Sequence, residues 1–178
     1  MSEKLNLDKH IIKYKGLCDF DGLYNLIVQW LKARGYRVQE TKYKHKVPSA
    51  LGAEQEITFK AEREVTEFYT YHIVADFFIR DMTEVEVEIK GEKKQLTNLR
   101  MELTLTGTVE MDPEGRYEKS MLLRKLRHFY LWHIIKSDMF EWGDELRYRI
   151  YKLHGVIKDY LDMQAKGNEY VGYLGDTK

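Results

Sequence analysis

Fifteen residues, Glu67 to Asp81, constrain this chain more than any other stretch: they read EFYTYHIVADFFIRD. Tyr69, Tyr71, Ile73, Ala75, Phe77 and Ile79 alternate with Phe68, Thr70, His72, Val74, Asp76, Phe78 and Arg80. A period of two puts the first set on one face of a β-strand and the second on the other. The first face is apolar throughout, so it must be covered by another layer. The second face mixes apolar and charged residues and is too apolar for plain solvent.

The flanking segments supply a sheet and its cover. Residues 9–17 read as a first strand. Asp19 stands where an N-cap belongs, because its carboxylate can accept the free amides of a first helical turn. Phe20, Leu23, Ile27, Trp30 and Leu31 then recur at helical spacing and Gly35 suits the C′ position, which predicts an amphipathic helix over 20–34. Tyr36 to Val47 is lysine-rich and reads as a strand near a sheet edge, followed by a loop at 48–52. From Glu54 to Met111 the period is two. Ile57, Phe59 and Ala61 form one set, Val85, Val87 and Ile89 another, and Leu99, Met101, Leu103, Leu105 and Val109 a third, with a turn at 91–94. Asp112-Pro113-Glu114-Gly115 breaks the sheet. A helix over 117–136 is apolar nearly all round, and a second over 139–164, opened by a capping box of Asp138 and Glu141, carries Trp142, Leu146, Ile150, Leu153, Ile157 and Leu161 in one stripe.

The expected architecture is α+β. A twisted antiparallel sheet of about five to six strands, in the order β-α-β-meander, is packed by an N-terminal helix and two long C-terminal helices. One domain spans 1–165, with the sheet region at 9–111, a helical hairpin at 116–164 and a flexible tail at 166–178. That element order resembles the helix-grip arrangement of START-like and Bet v 1-like proteins, in which a curved sheet wraps a long C-terminal helix. This chain has one helix after the first strand where those folds place two short ones, and it adds a helix at its C-terminal end. The resemblance implies a hydrophobic small molecule or lipid held between sheet and helix, with Tyr69, Tyr71, His72 and Tyr130 as pocket residues. The large inward side chains favour a filled core over a hollow one.

Charge and chemistry narrow the function classes. Twenty-nine basic residues balance 29 acidic ones, so no global field favours nucleic acid or an anionic membrane. A basic-aromatic run at 116–133 is the segment that would serve an RNA-associated role; nucleic acid is not the expected partner. No run reaches the roughly 20 apolar residues of a membrane span, the polar N-terminus is not a signal peptide, and one cysteine, Cys18, fits a reducing cytoplasm. The six histidines show no metal-ligand spacing: His128 and His133 fall about 140° apart on a helix. No nucleophile elbow, phosphate loop or dinucleotide fingerprint occurs, so neither a catalytic set nor a cofactor is expected. The glutamates at 54, 56, 62, 64, 84, 86 and 88 read as solvated strand faces. His72 and Asp76 share the polar side of the central strand and are the ligand-contacting candidates there.

The functional expectation is a cytoplasmic, non-catalytic interaction domain acting through its C-terminal helices. Met121, Trp132, Ile135 and Phe140 form the apolar surplus that a homodimer or another protein would cover. The alternative is the helix-grip binder of a hydrophobic ligand, for which Tyr69, Tyr71, His72, Asp76 and Tyr130 are the candidate residues.

Overall fold

A computed structural model describes residues 3–49, 52–89, 92–111 and 136–163. Six strands form one open antiparallel sheet: β1 (Glu3–Asn6), β2 (His10–Cys18), β3 (Arg37–Ser49), β4 (Gly52–Glu64), β5 (Tyr69–Ile89) and β6 (Glu92–Met111). Helix α1 (Phe20–Ala33) follows β2, and helix α2 (Lys136–Tyr160) closes the described chain. The class is α+β. β6 is long enough that β1 and β2 both pair along the same side of it, and β5, β4 and β3 follow in that order. Helix α1 therefore carries the chain from one edge of the sheet to the other.

One face of the sheet is dry. Tyr69, Tyr71, Ile73, Ala75, Phe77 and Ile79 are all buried, together with Ile57, Phe59 and Ala61 of β4 and Leu99, Met101, Leu103, Leu105, Val109 and Met111 of β6. Both helices cover this face: α1 through Phe20, Leu23, Ile27, Trp30 and Leu31, and α2 through Leu146, Ile150, Leu153, Ile157 and Leu161. Each leucine, isoleucine or phenylalanine among them contributes about 1.5–3 kcal/mol of transfer free energy when fully buried. Gly107 lets α2 lie close on β6, because a Cβ there would collide with Ile150. The layer between sheet and helices is filled by large side chains, with Phe20, Phe59 and Phe77 meeting edge to face.

The ends of α1 explain its place. Asp19 has extended backbone angles and its carboxylate accepts from the Gly22 amide at 2.8 Å. At the other end, Gly35 takes φ +78, its N–H donates to the Lys32 carbonyl, and the Tyr36 N–H donates to the Leu31 carbonyl. Those two bonds are a Schellman closure, which needs a residue free to adopt a left-handed conformation. The closure turns Tyr36 inward immediately after the helix.

Several expectations change. The sheet begins at Glu3 rather than at residue 9: β1 pairs with the last four residues of β6. The loop expected at 48–52 is shorter, since β3 runs to Ser49 and β4 starts at Gly52, and β6 starts at Glu92 within the expected 91–94 turn. The opening stretch and the Val85–Ile89 segment are one strand, β5. An extra residue sits on it: Arg80 pairs with Arg100 and Thr83 with Asn98, and Asp81 bulges with φ +56. The bulge reverses the alternation, so Val85 shares a face with Arg80, away from the helices, while Glu84, Glu86 and Glu88 fall on the helix side of an arm that extends past them. Among the described residues there are two helices, not three. The expected helix at 117–136 lies almost wholly outside the described residues, as do Met121, Tyr130, Trp132, Ile135, the 116–133 basic run and the 166–178 tail. Asp138 lies within α2 and not at its start, so it cannot be the cap of a capping box.

Candidate functional site

The most unusual chemistry on the dry face gathers where side chains of α2 reach Tyr71 of β5 and its neighbours. Tyr71 on β5 stands opposite Arg63 on β4. Arg63 occupies the position that continues the inward set Ile57, Phe59 and Ala61, so a guanidinium enters a row that is otherwise apolar. The Tyr71 hydroxyl donates to Glu145 Oε2 on α2 at 2.9 Å. One turn further along, Arg149 donates to Glu145 Oε1 through Nε at 3.0 Å and through Nη2 at 2.6 Å. Their side chains are only 18% (Arg149) and 25% (Glu145) exposed, so this pair is partly desolvated and correspondingly stronger than a surface pair. Trp142, a turn before Glu145, packs its ring 5.7 Å from Tyr69 and 6.4 Å from Tyr71.

Tyr36 completes the cluster. It is 3% exposed, and its hydroxyl is buried with no hydrogen-bond partner among the described residues. Burial pushes this phenol up to about 12, against the opposing pull of Arg149, Arg63 and Arg34. Tyr71 is raised further, by burial first and then by the Glu145 carboxylate. Both phenols are therefore neutral donors at physiological pH. The Arg63 guanidinium lies 6.0 Å from the Tyr36 ring centre, and no carboxylate pairs with it among the described residues. Arg34 spreads over the Trp30 ring at 3.9 Å and donates to the Trp30 carbonyl. The orphaned hydroxyl thus has the unpaired Arg63 guanidinium near its ring, and an unmet buried donor costs about 1–3 kcal/mol.

The five ligand candidates from the sequence are divided by the structure. Tyr69 and Tyr71 lie on the helix side, in or beside this cluster. His72 and Asp76 lie on the other face and are not partners: four residues along a strand separate them by about 13 Å. His72 Nε2 sits 2.8 Å from Glu110, which also meets Lys4, and Asp76 accepts from the Thr58 hydroxyl at 2.7 Å. Tyr130 is outside the described residues. Phe140 is 61% exposed on α2.

Tyr36, Arg63, Glu145 and Arg149 were absent from the sequence-based set. The signals that could have found them are specific: Arg63 interrupts an inward apolar row, and Glu145 and Arg149 are an i,i+4 pair flanking the buried stripe of α2. Cys18 is buried and its thiol is pushed up to about 11 by burial and then by Asp19, so it holds no thiolate for chemistry. No group of three or more histidine, cysteine, aspartate or glutamate side chains that could hold a metal occurs among the described residues. No helix among them is long and apolar enough to cross a membrane. Comparison with protein-family models, with curated proteins and with solved structures finds no match to this chain.

Proposed function

We propose that this chain is a cytoplasmic, non-catalytic binding protein that takes a small carboxylic acid at the seam between α2 and the sheet. The observation that carries the reading is the buried Tyr36 hydroxyl, unpartnered among the described residues, with the Arg63 guanidinium, which no carboxylate pairs among those residues, 6.0 Å from its ring centre. A ligand carboxylate accepts from Tyr36 and from Arg63 in its two-pronged geometry, while Glu145 holds Tyr71 and Arg149 in place. Trp142 and Tyr69 offer aromatic surface for an apolar body. Calorimetry and thermal shift with decanoate and 1-naphthoate test this. Saturable binding that falls at least about tenfold in Arg63→Gln and in Tyr36→Phe is expected, since a hydrogen bond to a charged group contributes about 1.5–3 kcal/mol. No saturable binding of either acid, or binding indifferent to both substitutions, removes the reading.

A second reading, self-association through the C-terminal helices, is favoured by Phe140, a large aromatic left open to solvent on α2. Met121, Trp132 and Ile135 are the other residues that the sequence proposes for this interface. Light scattering on the intact chain and on Phe140→Ser tests it: a homodimer that the substitution weakens supports the reading, and a strict monomer at micromolar concentration ends it.

A further inference from the structure

The face of the sheet turned away from the helices carries a cleft of about 320 Å³, lined by residues of three adjacent strands: β2, β6 and β5. Its size falls at the lower end of small-ligand sites. Two cross-strand rows form its floor. In the first, Lys15 stands opposite Arg100 and Arg100 opposite Arg80. In the second, Lys13 stands opposite Glu102 and Glu102 opposite Phe78. Neighbouring strands lie about 4.8 Å apart, so the first row sets three cations within about 10 Å of one another. Like charges directly opposite one another disfavour the sheet.

The cations are only partly balanced. Lys13 pairs with Glu102 at 3.4 Å and Arg100 with Asp81 at 3.5 Å. Lys15 and Arg80 have no carboxylate partner among the described residues. The Arg80 guanidinium instead lies over the Phe78 ring, 4.4 Å from its centre, making a flat two-layer surface at one end of the cation row. The bulge at Asp81 sets the geometry: it follows Arg80 directly and brings the Asp81 carboxylate to Arg100.

We infer that this cleft is a second binding site, independent of the helix-side seam, for a nucleotide-sized ligand bearing two or more adjacent phosphates. A row of three cations matches linked phosphates better than it matches a single carboxylate. A planar base stacks on the guanidinium of Arg80, as bases stack on aromatic rings and arginine planes elsewhere. The size of the occupant follows from what borders the patch. Glu102 stands inside it, and Asp76 and Glu56 occupy the neighbouring outward positions on β5 and β4. A long polyanion running across this face would meet Asp76 and Glu56 as well, whereas a small one meets only Glu102 and Asp81, which Lys13 and Arg100 already pair. The chain's zero net charge likewise supplies no long-range attraction for nucleic acid.

The test uses the intact chain, with ADP and inorganic pyrophosphate as probes in calorimetry at low salt. Saturable binding of both, tighter for ADP, is expected. Arg80→Gln and Arg100→Gln should each weaken ADP at least tenfold, and the double variant should abolish it. Because these substitutions relieve like-charge contacts, the unliganded variants should melt no lower than the parent, which separates lost binding from lost folding. Arg63→Gln, which disables the helix-side seam, should leave ADP affinity unchanged. Three results overturn the proposal: no saturable binding of either probe; binding that survives the double variant; or a single-stranded oligonucleotide bound more tightly than ADP and released by the same substitutions, which would assign the patch to nucleic acid.

Discussion

The two faces of this sheet treat arginine in opposite ways. On the helix side, Arg149 is half of a partly buried pair with Glu145, and Tyr71 holds the same carboxylate. On the outer side, Arg80 and Arg100 face each other directly across two strands, and only Arg100 has a carboxylate close by. Strand β5 takes part in both, through Tyr71 on the helix side and Arg80 on the outer side. The difference shows what burial demands. Burial makes an unmatched charge costly, so Glu145 and Arg149 meet within hydrogen-bonding distance, and the half-buried Arg63, without a carboxylate among the described residues, is the exception on this side. Where water reaches, a mismatch costs little and can be kept for binding.

The sharpest way to break this comparison is to substitute two adjacent residues. Phe77 is 2% exposed and faces the helices, while Phe78 faces out. Phe77→Ala should cost about 3–5 kcal/mol in urea unfolding, whereas Phe78→Ala should cost less than about 1 kcal/mol. Equal losses would mean that the outer face is packed as well as the inner. Next in size is Glu145→Gln, which leaves Arg149 and the Tyr71 hydroxyl without their anion. A loss of about 1–2 kcal/mol is expected, with the Tyr71→Phe, Glu145→Gln double variant losing less than the sum of the two single changes. Strict additivity would show that the two groups do not act together.

A third prediction concerns pH. His154 on α2 is lowered to about 4 by burial, with Lys158 and His10 adding to the effect, and His10 is itself lowered by burial. Their rings lie 6.2 Å apart, with Tyr151 against His10 at 4.8 Å. Because the folded state resists protonation, this contribution is fully present above the unfolded value of about 6.5 and is lost as pH falls from there toward 4. His154 is part-exposed, so solvent screening limits the loss to about 1 kcal/mol. Urea midpoints at pH 7 and pH 5 should differ in the parent and differ less in His154→Gln. The smallest effect has the opposite sign: Arg80→Gln should stabilise the unliganded chain by about 0.2–1 kcal/mol, by removing a like-charge cross-strand contact. Destabilisation instead would mean that the stacking of Arg80 on Phe78 outweighs the repulsion.

Much of the fold is legible in the sequence because its signals are local. The inward set from Tyr69 to Ile79 needs only a period of two, and α1 needs only Asp19, its apolar spacing and Gly35. What escapes sequence reading depends on partners far along the chain. β1 is four residues long and exists because β6 offers it a place to pair. The bulge at Asp81 has no glycine to announce it, although aspartate is among the residues that tolerate a left-handed conformation. The helix-side site joins Arg63, Tyr71, Glu145 and Arg149 from three elements with Tyr36 from the link between α1 and β3, and Tyr71 and Glu145 are 74 residues apart. Tyr71 was legible as an inward tyrosine; what it would touch was not. His72 and Asp76 shared a face as the alternation required, but sharing a face does not bring side chains together at a spacing of four.

The bulge at Asp81 also decides the sign of the electric field on the arm beyond it. With the bulge present, Thr83, Val85 and Val87 continue the face that bears Arg80 and Arg100, and the three glutamates point the other way. If the ladder ran regularly through Asp81, Glu84, Glu86 and Glu88 would rotate to the cation side and neutralise it. One backbone torsion thus acts as a polarity selector: the same amino acids, counted one step differently, turn a phosphate-seeking surface into an acidic one.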